Sequence, residues 1–130
     1  GAQVGGTLRL YDNDRGYSLG NRFEASLWGA KNISDSLSVS AKIDHSSQDE
    51  LDGQDKDVTM MMRNMSPGYD PNHQGNDRTS LGLGFNYYFR DGGLKGHRMA
   101  AEWETPISQK ANGVQLELDS VWTLGWQYAW

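Results

Sequence analysis

The stretch Val114–Trp130, VQLELDSVWTLGWQYAW, alternates with a period of two over its whole length. Its even positions are Val114, Leu116, Leu118, Ser120, Trp122, Leu124, Trp126, Tyr128 and Trp130, all apolar or aromatic except Ser120. Its odd positions, Gln115, Glu117, Asp119, Val121, Thr123, Gly125, Gln127 and Ala129, are polar or small except Val121. Successive side chains on a strand point to opposite faces, so this segment predicts a long strand with one apolar and one wet face.

The same alternation recurs upstream. Leu81, Leu83, Phe85, Tyr87 and Phe89 interleave with Gly82, Gly84, Asn86 and Tyr88. Met99, Ala101, Trp103 and Ile107 oppose Arg98, Glu102 and Glu104. Leu37, Val39, Ala41 and Ile43 oppose Ser38, Ser40, Lys42 and Asp44. Phe23, Ala25 and Leu27 oppose Arg22, Glu24 and Ser26, with Trp28 on the polar side. Val4, Leu8 and Leu10 oppose Thr7 and Arg9. Strands are therefore expected at residues 3–12, 21–31, 36–48, 78–91, 96–107 and 113–130. Several are as long as the roughly 9–11 residues of a tilted membrane-crossing strand.

The expected links alternate between short turns (32–36 and 91–96) and longer loops (12–21, 49–77 and 108–113). Outer-membrane barrels alternate in this way, with short periplasmic turns and longer extracellular loops. The fold class expected is all-β, an antiparallel transmembrane β-barrel with about six long strands here. Segment 49–77 is then extracellular, and the C-terminus lies in the periplasm of a bacterial outer membrane. No run of eighteen apolar residues exists, mean hydropathy is −0.74 and net charge is −5. A transmembrane helix and a nucleic-acid partner are therefore not expected. There is no cysteine, hence no disulfide or thiolate metal site. The opening Gly1–Gly6 has no basic start or apolar core. Six strands are also fewer than the roughly eight of the smallest single-chain barrels. The expectation is the C-terminal part of a larger barrel, completed by further strands of the same barrel or by other subunits.

The polar face predicts lumen-facing Arg9, Arg22, Glu24, Lys42, Asp44, Arg90, Arg98, Glu102, Glu104, Glu117 and Asp119. Glu102 and Glu104 are expected to pair with Arg90 or Arg98. The other face is expected to meet membrane lipids. Trp122, Trp126, Tyr128 and Trp130 are candidates for an interfacial aromatic girdle, because Trp and Tyr combine an apolar body with a polar tip.

The terminal aromatic Trp130 and the alternation before it resemble the C-terminal signal by which Gram-negative outer-membrane proteins engage the barrel-assembly machinery, with Trp130 where phenylalanine is usual. GHRMAAEWETPI, GVQLELDSVWTLGWQYAW, LGLGFNYYF, the loop MMMRNMSPGYDPNHQGNDR and NRFEASLWGAKNISDSLSVSAKI together resemble the C-terminal half of the MetA-pathway phenol-degradation family of outer-membrane proteins. That resemblance implies a barrel of about a dozen strands, half of them here. It also implies a channel or transport role for small hydrophobic or aromatic compounds. The alternative function is a structural barrel that holds a partner protein within a larger outer-membrane assembly.

Met60, Met61, Met62 and Met65 with His73 carry copper-type donors. Asp52, Gly53, Asp55 and Asp57 have some features of a calcium loop but lack its spacing and terminal glutamate. The methionine cluster is read as a flexible apolar loop segment packing into the barrel mouth, the acidic stretch as a solvated loop, and Asp70, Asn72, Asn76 and Asp77 as turn formers around Pro71 and Gly75. His45, His73 and His97 are dispersed, with no serine set beside them as a nucleophile. No enzyme, catalytic site, metal or cofactor is expected.

Overall fold

The computed structural model describes residues 1–128, so Trp130 of the expected aromatic girdle and assembly signal lies outside the described residues. The chain order is β1 (Ala2–Thr7), β2 (Tyr17–Ser18), β3 (Arg22–Asn32), β4 (Leu37–Gln48), β5 (Asp52–Gly53), α1 (Met60–Met65), β6 (Asn76–Tyr88), β7 (His97–Ala111) and β8 (Val121–Tyr128). Single 3-10 turns lie at Pro67–Tyr69, Pro71–His73 and Gly92–Leu94. The long strands form one six-stranded antiparallel meander in the order β1-β3-β4-β6-β7-β8. β1 and β8 are its edges, and among the described residues they do not pair with each other. The small β2–β5 ladder pairs Tyr17 with Gly53 and Ser18 with Asp52, tying link 8–21 to link 49–75.

Alternation fixes which side chains share a face, because slipping the register by one residue would turn every apolar side chain to the other side. The observed rows are Leu27–Ile43–Leu81–Thr105, Ala41–Leu83–Trp103–Trp122, Val39–Phe85–Ala101–Leu124 and Leu37–Tyr87–Met99–Trp126. Toward the long links this face turns polar, in rows through Ala25, His45 and Thr79 and through Ser47 and Asp77. From Leu81 to Tyr87 the apolar stripe of β6 covers about 20 Å at roughly 3.4 Å per residue.

Among the described residues no second layer covers either face. Among the described residues none of the hydrophobic side chains is buried, and the chain exposes 9523 Å². A globular monomer of 14.5 kDa would expose about 6,900 Å².

Three expected boundaries are corrected. β1 stops at Thr7 rather than continuing to 12, so Leu8, Arg9 and Leu10 lie in a link, where the Arg9 amide donates to Asn21 Oδ1 at 2.9 Å. β7 runs on to Ala111, past the expected end at 107. It does so through a bulge: Thr79 pairs with Ser108 and Ser80 with Pro106, leaving Ile107 as the extra residue. Bulges are where a strand tolerates proline, which has no N–H for the ladder. The closing strand also begins later than expected, at Val121 instead of 113; its expected end at 129–130 lies outside the described residues. Its pairing with β7 ends at Glu104–Val121, next to Pro106 and the bulge.

Side chains hold the segment before β8 in place of a ladder. Gln109 bonds both backbone groups of Leu118, donating to its O at 2.6 Å and accepting from its N at 3.0 Å. Thr105 Oγ1 donates to Asp119 O at 3.1 Å. Gln115 Nε2 donates to His73 O at 2.8 Å and Gly75 O at 2.9 Å, so link 112–120 is fastened to link 49–75. At the opposite end the 33–36 turn is closed by Ile33 N to Leu37 O at 2.9 Å, with Ser34 Oγ accepting from Leu37 N at 3.1 Å.

Candidate functional site on the polar face of the sheet

The polar face is organised around Lys42 in the middle of β4. In register, Lys42 neighbours Gly82 on β6, and Gly82 neighbours Glu104 on β7. One row along, Ser40 neighbours Gly84, which neighbours Glu102. A lysine and a glutamate two strands apart meet only if nothing stands between them, and the two glycines leave that space open. A Cβ at Gly82 would sit 2.7 Å from both Cγ and Cε of Lys42. Lys42 therefore lies across β6, and its Nζ reaches Glu102 Oε1 at 2.8 Å and Glu104 Oε2 at 3.0 Å, besides Asp44 Oδ2 at 3.2 Å. Asp44 Oδ2 is shut off from solvent with the ammonium as its partner, while Ser26 Oγ donates to Oδ1. One ammonium thus serves three carboxylates, an excess of two negative charges. Such a cluster is costly to break, because removing the cation leaves half-buried carboxylates facing one another.

The remaining charges on this face divide by position. Arg22 pairs with Glu24 on the same strand. Arg98 donates from Nε and Nη2 to Asn86 Oδ1, at 3.2 and 2.7 Å. Arg90 lies just past β6, where it meets Asp35 Oδ2 at 2.6 Å. The expected pairing of Glu102 and Glu104 with Arg90 or Arg98 is therefore corrected to Lys42. Glu117 and Asp119, expected on the polar face of the closing strand, lie in link 112–120. Arg22, Glu24, Lys42, Asp44, Arg98, Glu102 and Glu104 share the polar face as expected. A cavity of about 320 Å³ opens on it between Gln3, Arg22, Asp44, Arg78, Ser80 and Glu104.

On the apolar face, Trp122 stands mid-sheet beside Trp103, with ring centroids 6.4 Å apart, rather than at the rim. Trp126 and Tyr128 lie at the short-turn end and enclose His97. The indole Nε1 of Trp126 donates to His97 Nδ1 at 2.8 Å, and Tyr128 stacks on the imidazole at 4.5 Å.

The loop candidates do not assemble. Met60, Met61 and Met65 stand exposed on α1, whereas the His73 ring packs against Gly113. Asp55 and Asp57 both engage Arg15 Nη1, at 3.1 and 3.4 Å. The Asp57 amide and Arg15 hold the Asp55 carboxyl below its usual range. Asp70 caps the 3-10 turn at Pro71–His73; the Asn72 amide and then Arg63 lower its carboxyl likewise. Among the described residues no three His, Cys, Asp or Glu side chains converge as a metal site.

Four residues that matter here carried no functional assignment from the sequence: Gly82 and Gly84, whose value is the space they leave, and Arg78 and Gln109. Alternation alone would have placed Arg78 on the polar face, two positions before Ser80. No protein-family model, curated protein or solved structure matches the chain.

Proposed function

We propose that this sheet is a section of the wall of an outer-membrane β-barrel, with its apolar face against lipid and its charged face lining a channel for small solutes. The observation that carries this reading is a single-layer sheet with an uncovered apolar band on one face and ionised side chains on the other. A soluble sandwich hides its apolar face under a second layer, whereas a membrane barrel leaves that face to hydrocarbon and keeps charge inside. Unpaired backbone groups at β1 and β8 cannot remain open in lipid, so further strands complete the wall, from the same protein or from other copies. Links 8–21, 49–75 and 112–120 then face outward, and the 33–36 and 89–96 turns face the periplasm. The resemblance of this chain to the MetA-pathway family adds small hydrophobic or aromatic compounds as the proposed cargo.

Two measurements test the proposal. In bilayers containing acyl-chain-brominated lipids, the fluorescence of Trp122 and Trp126 is expected to be quenched, and an unquenched signal sinks the membrane placement. In planar bilayers the reconstituted protein is expected to show discrete conductance steps. A silent barrel that co-purifies with a protein filling its interior would replace the channel by a scaffold.

A further inference from the structure

We propose that Arg78 is the anchor of a solute subsite on the polar face, one that takes the carboxylate of a small monoanionic compound. This deepens the channel reading and rests on the same face, but the binding it describes does not require conductance.

Arg78 lies in β6, opposite Ser46 of β4 and Gln109 of β7, and it is half-buried. Every other Arg or Lys on the polar face of the strands is engaged: Arg22 by Glu24, Lys42 by three carboxylates and Arg98 by Asn86. Of these strand cations on the polar face, Arg78 alone has no side-chain hydrogen bond or ion pair to the described residues. Three of its polar neighbours are already engaged, and Glu117, which lines a second cavity with Arg78, makes no ion pair with it. The Gln109 amide is used at both ends by Leu118, Asp44 is held by Lys42 and Ser26, and Glu104 by Lys42. A half-buried arginine with five N–H donors on its side chain thus lines a cavity of about 320 Å³. That volume lies in the range of small-molecule sites.

The chemistry of the wall narrows the ligand. A guanidinium binds a carboxylate with two parallel hydrogen bonds, a geometry that an ammonium cannot supply. Glu24, Asp44 and Glu104 line the same cavity, and their fields oppose a dianion such as phosphate. A single negative charge on a small body fits both conditions.

The test uses the full chain in detergent micelles, with arginine Nε–H signals followed by NMR during titration with propionate, its neutral isostere propionamide, and inorganic phosphate. Propionate is expected to shift the Arg78 signal, with propionamide and phosphate binding at least about tenfold more weakly. Arg78→Gln should weaken propionate binding by a similar factor, Arg78→Lys should weaken it less, and Lys95→Gln in the distant turn should leave it unchanged. Equal binding of propionamide, stronger binding of phosphate, or propionate binding retained in Arg78→Gln overturns the proposal. If Arg78→Gln fails to fold, the three ligands on the native chain still decide. Propionate binding through Arg78 in a protein that conducts nothing would reject the channel and keep the subsite. Conductance without propionate binding would do the reverse.

Discussion

At Gly82 the absence of a side chain is what lets Lys42 cross a strand, so its replacement tests the charged cluster directly. Gly82→Val would place a branched side chain where Lys42 Cγ and Cε now lie, 2.7 Å from the new Cβ. The expected loss is about 1–3 kcal/mol, as for other overpacked positions, read as a lower urea midpoint of the detergent-folded protein. Gly125→Ala is the matched control, because its Cβ would meet only Ala100 Cβ, at 3.6 Å. Equal effects would remove the cluster from any account of stability. Asp70 makes a pH-dependent prediction. Its carboxyl is held below the usual range by the Asn72 amide and by Arg63. The stabilisation is complete above the unfolded value of about 3.9 and is lost as pH falls through the lowered one. Hydrogen exchange at the Asn72 amide, corrected for its intrinsic rate, should quicken on acidification in the native chain. In Asp70→Asn it should depend on pH only weakly.

Among the elements, β7 and β8 show how one irregularity sets the end of another strand. The bulge at Ile107 follows Pro106, and pairing with β8 ends at Glu104–Val121. Gln109 then performs for Leu118 the two hydrogen bonds that a neighbouring strand would have made. Gln109→Ala should free both groups and speed exchange at the Leu118 amide by about tenfold, the equivalent of one net hydrogen bond. Amides within β8, such as Leu124, should change little. Uniform loosening of β8 would show that segment 112–120 and the strand unfold together.

For the whole molecule, the decisive property is the contrast between two faces of one uncovered sheet. Thr123 and Leu124 are consecutive on β8, Thr123 beside Glu102 on the polar face and Leu124 beside Ala101 on the apolar one. Leu124→Arg should reduce insertion into lipid vesicles, at a cost of about 2–4 kcal/mol near the bilayer midplane. Thr123→Arg, which can pair with Glu102, should insert as the native chain does. If the two variants insert equally well, the apolar face does not meet lipid.

Much of this arrangement is legible from residue order because the pleat of a strand is local. The alternation in Phe23–Leu27, Leu37–Asp44, Leu81–Tyr88 and Met99–Thr105 places each side chain on its observed face, and short links read as hairpins give the meander order. Alternation also misleads where it outruns pairing. Leu8 and Leu10 continue the pattern of β1, and Val114–Leu118 that of β8, yet none of them lies in a strand. A period of two records which way side chains would point, whereas a strand exists only where a neighbour supplies hydrogen bonds.

The amino-acid order alone carries the antiparallel β class, the division into two faces and the residues on each, all consequences of backbone geometry over a few residues. The tertiary structure alone decides that Lys42 serves Glu102 and Glu104 across Gly82, that Arg15 takes Asp55 and Asp57, that β8 begins at Val121 and that the Arg78 side chain has no partner among the described residues. Those outcomes depend on register and side-chain reach between segments distant in the chain, and no local pattern encodes them.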